Sequence, residues 1–208
     1  MTVLDDRSVL AGGVKPATDV YEIETQLDAG PFTAIRLEGL PYPSLPVGEA
    51  SRGELGNVLL SEFELEIVSP AESDIWQGVR IERAWADREV AGFTIDRAID
   101  GQQATGWGSM GTERKSTRTA VFISQRPFGN PAGTQLRIRL RHENQHWAHR
   151  QFGRFRLSAT AAPHVLEAAA VDQLNRDLRD ALVGDTPKPA SSAPPPFDSA
   201  APPQIDHR

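Results

Sequence analysis

Apolar and polar residues alternate with a period of two along most of the first 162 residues. In the run 59–68, Phe63 and Leu65 lie on one side of the chain and Glu62 and Glu64 on the other. This alternation is typical of a β-strand with one buried face. A hairpin with a polar turn is predicted at 4–10, and further strands at 19–27, 35–38, 79–82, 120–124, 136–141 and 155–158.

Long loops rich in Pro, Gly or polar residues separate these strands, at 41–57, 72–77 and 101–118. About eight short strands without a long amphipathic helix predict an all-β fold, an antiparallel β-sandwich over residues 1–162. The composition changes after that point. Apolar residues at roughly helical spacing predict a C-terminal helix at 163–185, and a Pro-, Ser- and Ala-rich stretch predicts a disordered tail at 186–208.

Composition excludes several classes of protein. The chain has no Cys, so it forms neither disulfides nor thiolate metal sites. No apolar run approaches the length of a transmembrane helix, so no membrane insertion is predicted. Residues 1–6 lack the basic start and apolar core of a signal peptide, so none is predicted in this chain.

The net charge of −6 is unevenly distributed. Residues 1–100 contain 8 Lys or Arg and 19 Asp or Glu, whereas residues 101–162 contain 10 and 2. We expect strands of the two halves to pair, with complementary charges on their outer faces. The alternative, a basic face for nucleic acid, is disfavoured by the overall acidity and the lack of Lys clusters, so no nucleic-acid partner is predicted.

No arrangement of residues indicates catalysis. A nucleophile motif of the Gly-x-Ser-x-Gly type is absent, and the glutamates at 62, 64 and 66 are explained as outward charges of one strand. His142, His146 and His149 fall in a stretch predicted to be a hairpin loop, where four-residue spacing does not guarantee that two imidazoles reach one metal, so a metal site is the disfavoured alternative. We therefore expect a protein that is not an enzyme; a hydrolase using the acidic residues is the disfavoured alternative.

The stretch 98–107 (AIDGQQATGW) is the most distinctive of the chain. Asp before Gly favours a tight turn, and this structural interpretation is the preferred one. The same Asp100 carboxylate, the Thr105 hydroxyl and backbone carbonyls are also ligands of the kind that calcium requires. Trp107 is either a cap of the core or, like Trp147 beside His146, an aromatic surface on which a sugar ring stacks.

Residues 98–107 resemble the A-x-D-G-x-x-x-T-x-W signature of discoidin-like, galactose-binding-like sandwiches, the coagulation factor 5/8 C-type superfamily. The wider chain is similar to a domain of large multidomain cytochrome-type proteins of planctomycete bacteria. The segments that carry this second resemblance are 4–11, 33–38, 43–46, 56–64 and 145–158.

The resemblance implies a jelly-roll sandwich that binds a ligand, often carbohydrate, without catalysis, in an exported parent protein that is periplasmic or extracellular. It also implies a structural calcium held by Asp100, Thr105 and Glu62, with Glu64 as the alternative to Glu62. Relative to the family, the strand around Glu62 precedes the Asp-Gly loop, which indicates a circular permutation.

The expected function is carbohydrate binding, with Trp107, Trp147 and His146 as ligand contacts. The alternative is a structural domain that packs against neighbouring domains of a redox or degradative enzyme.

Overall fold

The structure of the protein is a computed structural model that describes residues 1–27, 30–68, 75–109 and 116–162. The helix predicted at 163–185 and the tail predicted at 186–208 lie outside the described residues. Within them, no helix combines the length and apolar character needed to span a bilayer.

The described chain is built from antiparallel strands and two short 3-10 turns, Pro46–Gly48 and Ile95–Ala98. The strands are β1 Thr2–Val3, β2 Val9–Leu10, β3 Asp19–Leu27, β4 Phe32–Gly39, β5 Val58–Leu60, β6 Glu62–Val68, β7 Trp76–Gly78, β8 Ile81–Ala86, β9 Trp107–Ser109, β10 Arg118–Phe128, β11 Thr134–His142 and β12 Arg154–Thr160. One sheet has the order β1-β2-β12-β4-β10-β8, a second has the order β3-β11-β6-β7, and β5 pairs with β9.

The two larger sheets face each other across one apolar core. Phe63 of β6 stacks on Phe122 of β10 with ring centroids 3.8 Å apart, and Tyr21 of β3 stacks on Phe155 of β12 at 5.9 Å. All four side chains are almost fully buried. The strands that face each other thus place their apolar sides inward, and the predicted all-β antiparallel sandwich is confirmed.

The chain changes sheet at two places where the alternating pattern continues without a break. The run predicted as one strand at 59–68 is two strands, because Ser61 belongs to neither β5, which ends at Leu60, nor β6, which begins at Glu62. The strand predicted at 79–82 is correct only at Ile81 and Glu82, which begin β8; Val79 and Arg80 join β7 of one sheet to β8 of the other. The loop predicted at 101–118 contains β9, and the stretch predicted as a hairpin loop after His142 instead connects the two sheets.

The outer face of the β3-β11-β6 sheet carries a ladder of opposite charges. In register, Arg137 of β11 lies between Glu24 and Glu66, and Arg139 lies between Glu22 and Glu64. Arg139 Nε lies 2.7 Å from Glu22 Oε2, and its Nη1 lies 2.9 Å from Glu66 Oε2. The predicted charge pairing between the two halves of the sequence is confirmed on this face.

Arg139→Ala is expected to lower the free energy of unfolding by about 1 kcal/mol, because Arg139 joins three glutamates in a partly exposed network. The loss should shrink in high salt, which screens exposed charges. Chemical denaturation with urea at low and high salt measures it, with the exposed Arg126→Ala as control. A loss that does not depend on salt would show that packing, not charge, is what Arg139 contributes.

Candidate functional site

The Asp100 loop follows the 3-10 turn Ile95–Ala98 and is closed by its own side chains. Asp100 Oδ1 accepts a hydrogen bond from the Gln102 backbone N–H at 2.9 Å, which is the turn expected of Asp before Gly. Gly101 has a φ of 77°, the left-handed conformation that this turn requires and that glycine adopts without strain. The turn predicted from the sequence is therefore present.

The Thr105 hydroxyl lies among more oxygen atoms than one proton can serve. Its Oγ1 is 2.9 Å from each carboxylate oxygen of Asp100, 2.8 Å from the Gln102 carbonyl oxygen and 3.3 Å from that of Arg97. A hydroxyl donates a single proton, so most of these contacts bring lone pairs together. The loop thus concentrates negative potential at one point.

Glu62 lies beside this loop, although 38 positions separate it from Asp100. Its Oε1 accepts the Gln102 N–H at 2.8 Å, and Asp100 Oδ1 accepts the same N–H at 2.9 Å. In the register of the sheet Glu62 is opposite Arg141, but the Arg141 guanidinium bonds to Glu64 and Glu143 instead. Among the described residues, no basic side chain forms an ion pair with Glu62.

Two carboxylates that face each other without a base are costly when both are ionised. Glu62 is only 7% exposed, and its burial, followed by the Asp100 carboxylate, raises the pKa of Glu62 to about 7. A bound cation would reduce this repulsion. No group of three or more His, Asp or Glu side chains suited to a metal is found in the described ranges, so carbonyl and hydroxyl oxygens would have to complete any shell.

Trp107 is a core residue, so its predicted role as a ligand contact is wrong. Its side chain is fully buried, and its Nε1 donates to the Arg88 carbonyl at 2.8 Å. The preceding Gly106 allows the loop to pass close to β5, because a Cβ there would lie 2.6 Å from the Leu60 carbonyl oxygen. Trp107 therefore anchors the Asp100 loop to the sandwich.

Residues 143–153, which join β11 to β12, connect this loop to a second feature. The buried Asn144 donates from its amide to the Ala104 carbonyl at 2.6 Å and accepts from the Trp147 N–H at 3.1 Å. Trp147 is half-buried against Phe93 and His146, and His146 is exposed. Of the three predicted ligand contacts, these two remain accessible, next to each other.

A pocket of about 390 Å³ opens beside Trp147. Six of the side chains that line it are Lys15, Glu54, Leu55, Asn57, His149 and Arg150. His149 has a φ of 64° and is held there by a hydrogen bond from its N–H to the Ala17 carbonyl at 2.9 Å. A non-glycine residue in this conformation is strained, and such strain concentrates at functional sites.

Arg150 is held in place at the wall of the pocket. Its guanidinium carbon is 5.1 Å from the Trp147 ring centroid. With the Asn57 amide oriented to satisfy both of its groups, the amide accepts from Arg150 Nη1 at 2.5 Å and donates to the Leu55 carbonyl at 3.2 Å. Sequence reasoning did not single out Lys15, Asn57 or Arg150, since nothing local marks three loop residues that only the fold brings together.

The remaining histidine of the cluster, His142, is a core residue. It is almost fully buried, its Nδ1 is 2.7 Å from the Leu59 carbonyl oxygen, and burial lowers its pKa to about 4. The three histidines of this stretch thus have three different environments: the core, an exposed loop and the pocket wall.

Comparison with models of known protein families, with curated protein sequences and with solved structures gives no match to this chain.

Proposed function

We propose that this chain is a non-catalytic β-sandwich module that binds carbohydrate at the pocket beside Trp147 and is stabilised by a calcium ion at the Asp100 loop. The discoidin-like resemblance of residues 98–107 favours both parts of this proposal. The 143–153 segment contacts both features, so the cation would fix the loops that form the pocket.

The residues of the Asp100 loop fit a hard cation. The Asp100 and Glu62 carboxylates, the Thr105 hydroxyl and the carbonyls of Arg97 and Gln102 supply only oxygen, which calcium prefers. When bound, the ion would supply positive charge to two carboxylates that accept the same backbone N–H. Its proposed role is structural.

The observation that carries carbohydrate binding is the composition of the pocket beside Trp147. Its volume of about 390 Å³ lies at the small end of ligand sites. Arg150, Asn57 and Glu54 offer hydrogen-bond donors and acceptors for hydroxyl groups, and the exposed Leu55 offers apolar contact to a ring. Trp147 and His146 extend the aromatic surface next to it.

Screening on a polysaccharide and glycan array tests this proposal, followed by titration of the best ligand. Arg150→Ala is expected to weaken binding about tenfold or more, because it removes a fixed, charged donor from the wall. The melting temperature should change little, since the Arg150 main chain, which accepts from the Leu59 N–H, is retained.

The control is Arg126→Ala, which removes an exposed arginine that does not line the pocket and should leave affinity unchanged. Equal losses in both variants would point to nonspecific charge effects. If no glycan binds, the alternative of a domain that packs against neighbouring domains becomes the better explanation.

A further inference from the structure

The charges around the pocket are mostly positive. The cations Lys15 and Arg150 lie on its walls, and Glu54 is the single carboxylate among its lining side chains in the described part of the chain. The net positive charge of these side chains favours a ligand that carries a negative charge.

A buried guanidinium next to the pocket adds to this potential. Arg52, only 9% exposed, donates to the carbonyls of Gly13 and Val14 at 2.7 and 2.9 Å. Within the described ranges no carboxylate pairs with it. Lys15 Nζ is 3.3 Å from the Arg52 carbonyl oxygen, which ties the lysine to the same corner.

Among the positive groups, the Arg150 guanidinium has the geometry to bind a planar anion. Arg150 is held between Asn57 and the Trp147 ring, so little side-chain entropy is lost when it binds. A guanidinium fork matches a carboxylate, which accepts two parallel hydrogen bonds. Lys15 lines the same pocket and supplies a second positive charge.

We infer that the ligand of this pocket is an acidic sugar, a uronic acid whose carboxylate is bound by Arg150 and Lys15 while its hydroxyl groups contact Glu54 and Asn57. This inference rests on the proposed carbohydrate binding and adds the class of sugar. Glu54 restricts the ligand to one negative charge, because its carboxylate would repel a second anionic group.

Titration followed by NMR, with the full chain and matched pairs of sugars, tests the inference. Galacturonate and glucuronate are expected to bind about tenfold tighter than galactose and glucose, and the difference should shrink as salt is added. Lys15→Gln should reduce binding of the acids more than binding of the neutral sugars. Glu54→Gln should instead tighten binding of the acids, because it removes a carboxylate from the pocket. Arg126→Gln is the control and should leave binding of the acids unchanged.

Equal binding of acidic and neutral sugars would overturn this inference and leave the proposed function intact. Acetate that displaces galacturonate with equal affinity would overturn both, because the site would then recognise a carboxylate without a sugar. Absence of binding by all four sugars and their oligomers would likewise overturn both. Tighter acid binding that survives Lys15→Gln and Arg150→Gln together would contradict the assigned contacts.

Discussion

Trp107→Ala is expected to lower the free energy of unfolding by about 3–5 kcal/mol, the range found when a buried aromatic side chain is truncated. Trp107 is among the largest fully buried side chains of the described residues, and its ring packs against Phe152 with centroids 6.4 Å apart. The substitution also leaves the Arg88 carbonyl without its indole donor. Urea denaturation followed by circular dichroism measures the loss.

The matched control is Trp76→Ala. The half-buried Trp76 ring lies 3.9 Å from the Arg137 guanidinium carbon on the outer face of the sheet. Its removal should cost only about 1 kcal/mol. If the two substitutions cost the same, Trp107 does not anchor the loop to the core in the way its burial indicates.

Calcium is expected to stabilise the wild-type protein by about 2–4 kcal/mol at saturating concentration, the amount that a single site of the native state contributes. Chelation should reverse the shift. Glu62→Gln should abolish most of it, because the substitution removes one of the two carboxylates while retaining an oxygen for the Gln102 N–H. Thermal melts with calcium and with chelator provide the measurement.

The pH dependence without metal gives an independent check. Because the folded protein raises the pKa of Glu62 to about 7 from 4.5, it binds a proton that the unfolded chain releases. That contribution is complete below pH 4.5 and is lost as the pH rises through 7, a loss of the order of 3 kcal/mol by pH 8. His142 acts in the opposite direction, mainly below pH 6.5, so the wild type is compared with Glu62→Gln from pH 6.5 to 8, where both proteins share the His142 contribution.

Glu62→Gln should therefore be more stable than wild type at pH 8 without calcium, and less stable when calcium is present. Glu82→Gln is the control, since Glu82 is an exposed glutamate of β8 whose loss should alter neither curve. Identical melting of the wild type with calcium and with chelator would remove the calcium part of the proposal. It would leave the carbohydrate part standing.

The sequence predicted best those strands that keep one face buried over their whole length. The alternation at 19–27 and 136–141 matches β3 and β11 closely, because each strand is covered by the other sheet on one side only. The sheet changes near Ser61 and Val79 were missed, because alternation persists when the chain passes from one sheet to the other. Pairing partners, not the local period, decide where such a strand ends.

The candidate sites depended on tertiary structure to different degrees. Alternation alone places Glu62 outward with Glu64, whereas the structure buries Glu62 against the Asp100 loop. Only the discoidin-like resemblance of the loop motif predicted that Asp100, Thr105 and Glu62 lie close together. The pocket could not be predicted, since it requires the left-handed backbone at His149 and the approach of three separate loops.

The strand order has a consequence for synthesis on the ribosome. β4 lies between β10 and β12, and β11 lies between β3 and β6, so each sheet has its central pairings with strands of the second half. The emerging first hundred residues carry 19 acidic and 8 basic side chains, and their strands β3 and β4 pair only with strands that have not yet been made. Repulsion between the net negative charges of such incomplete chains would keep them apart until β11 emerges. Its arginines then pair with the glutamates of β3 and β6.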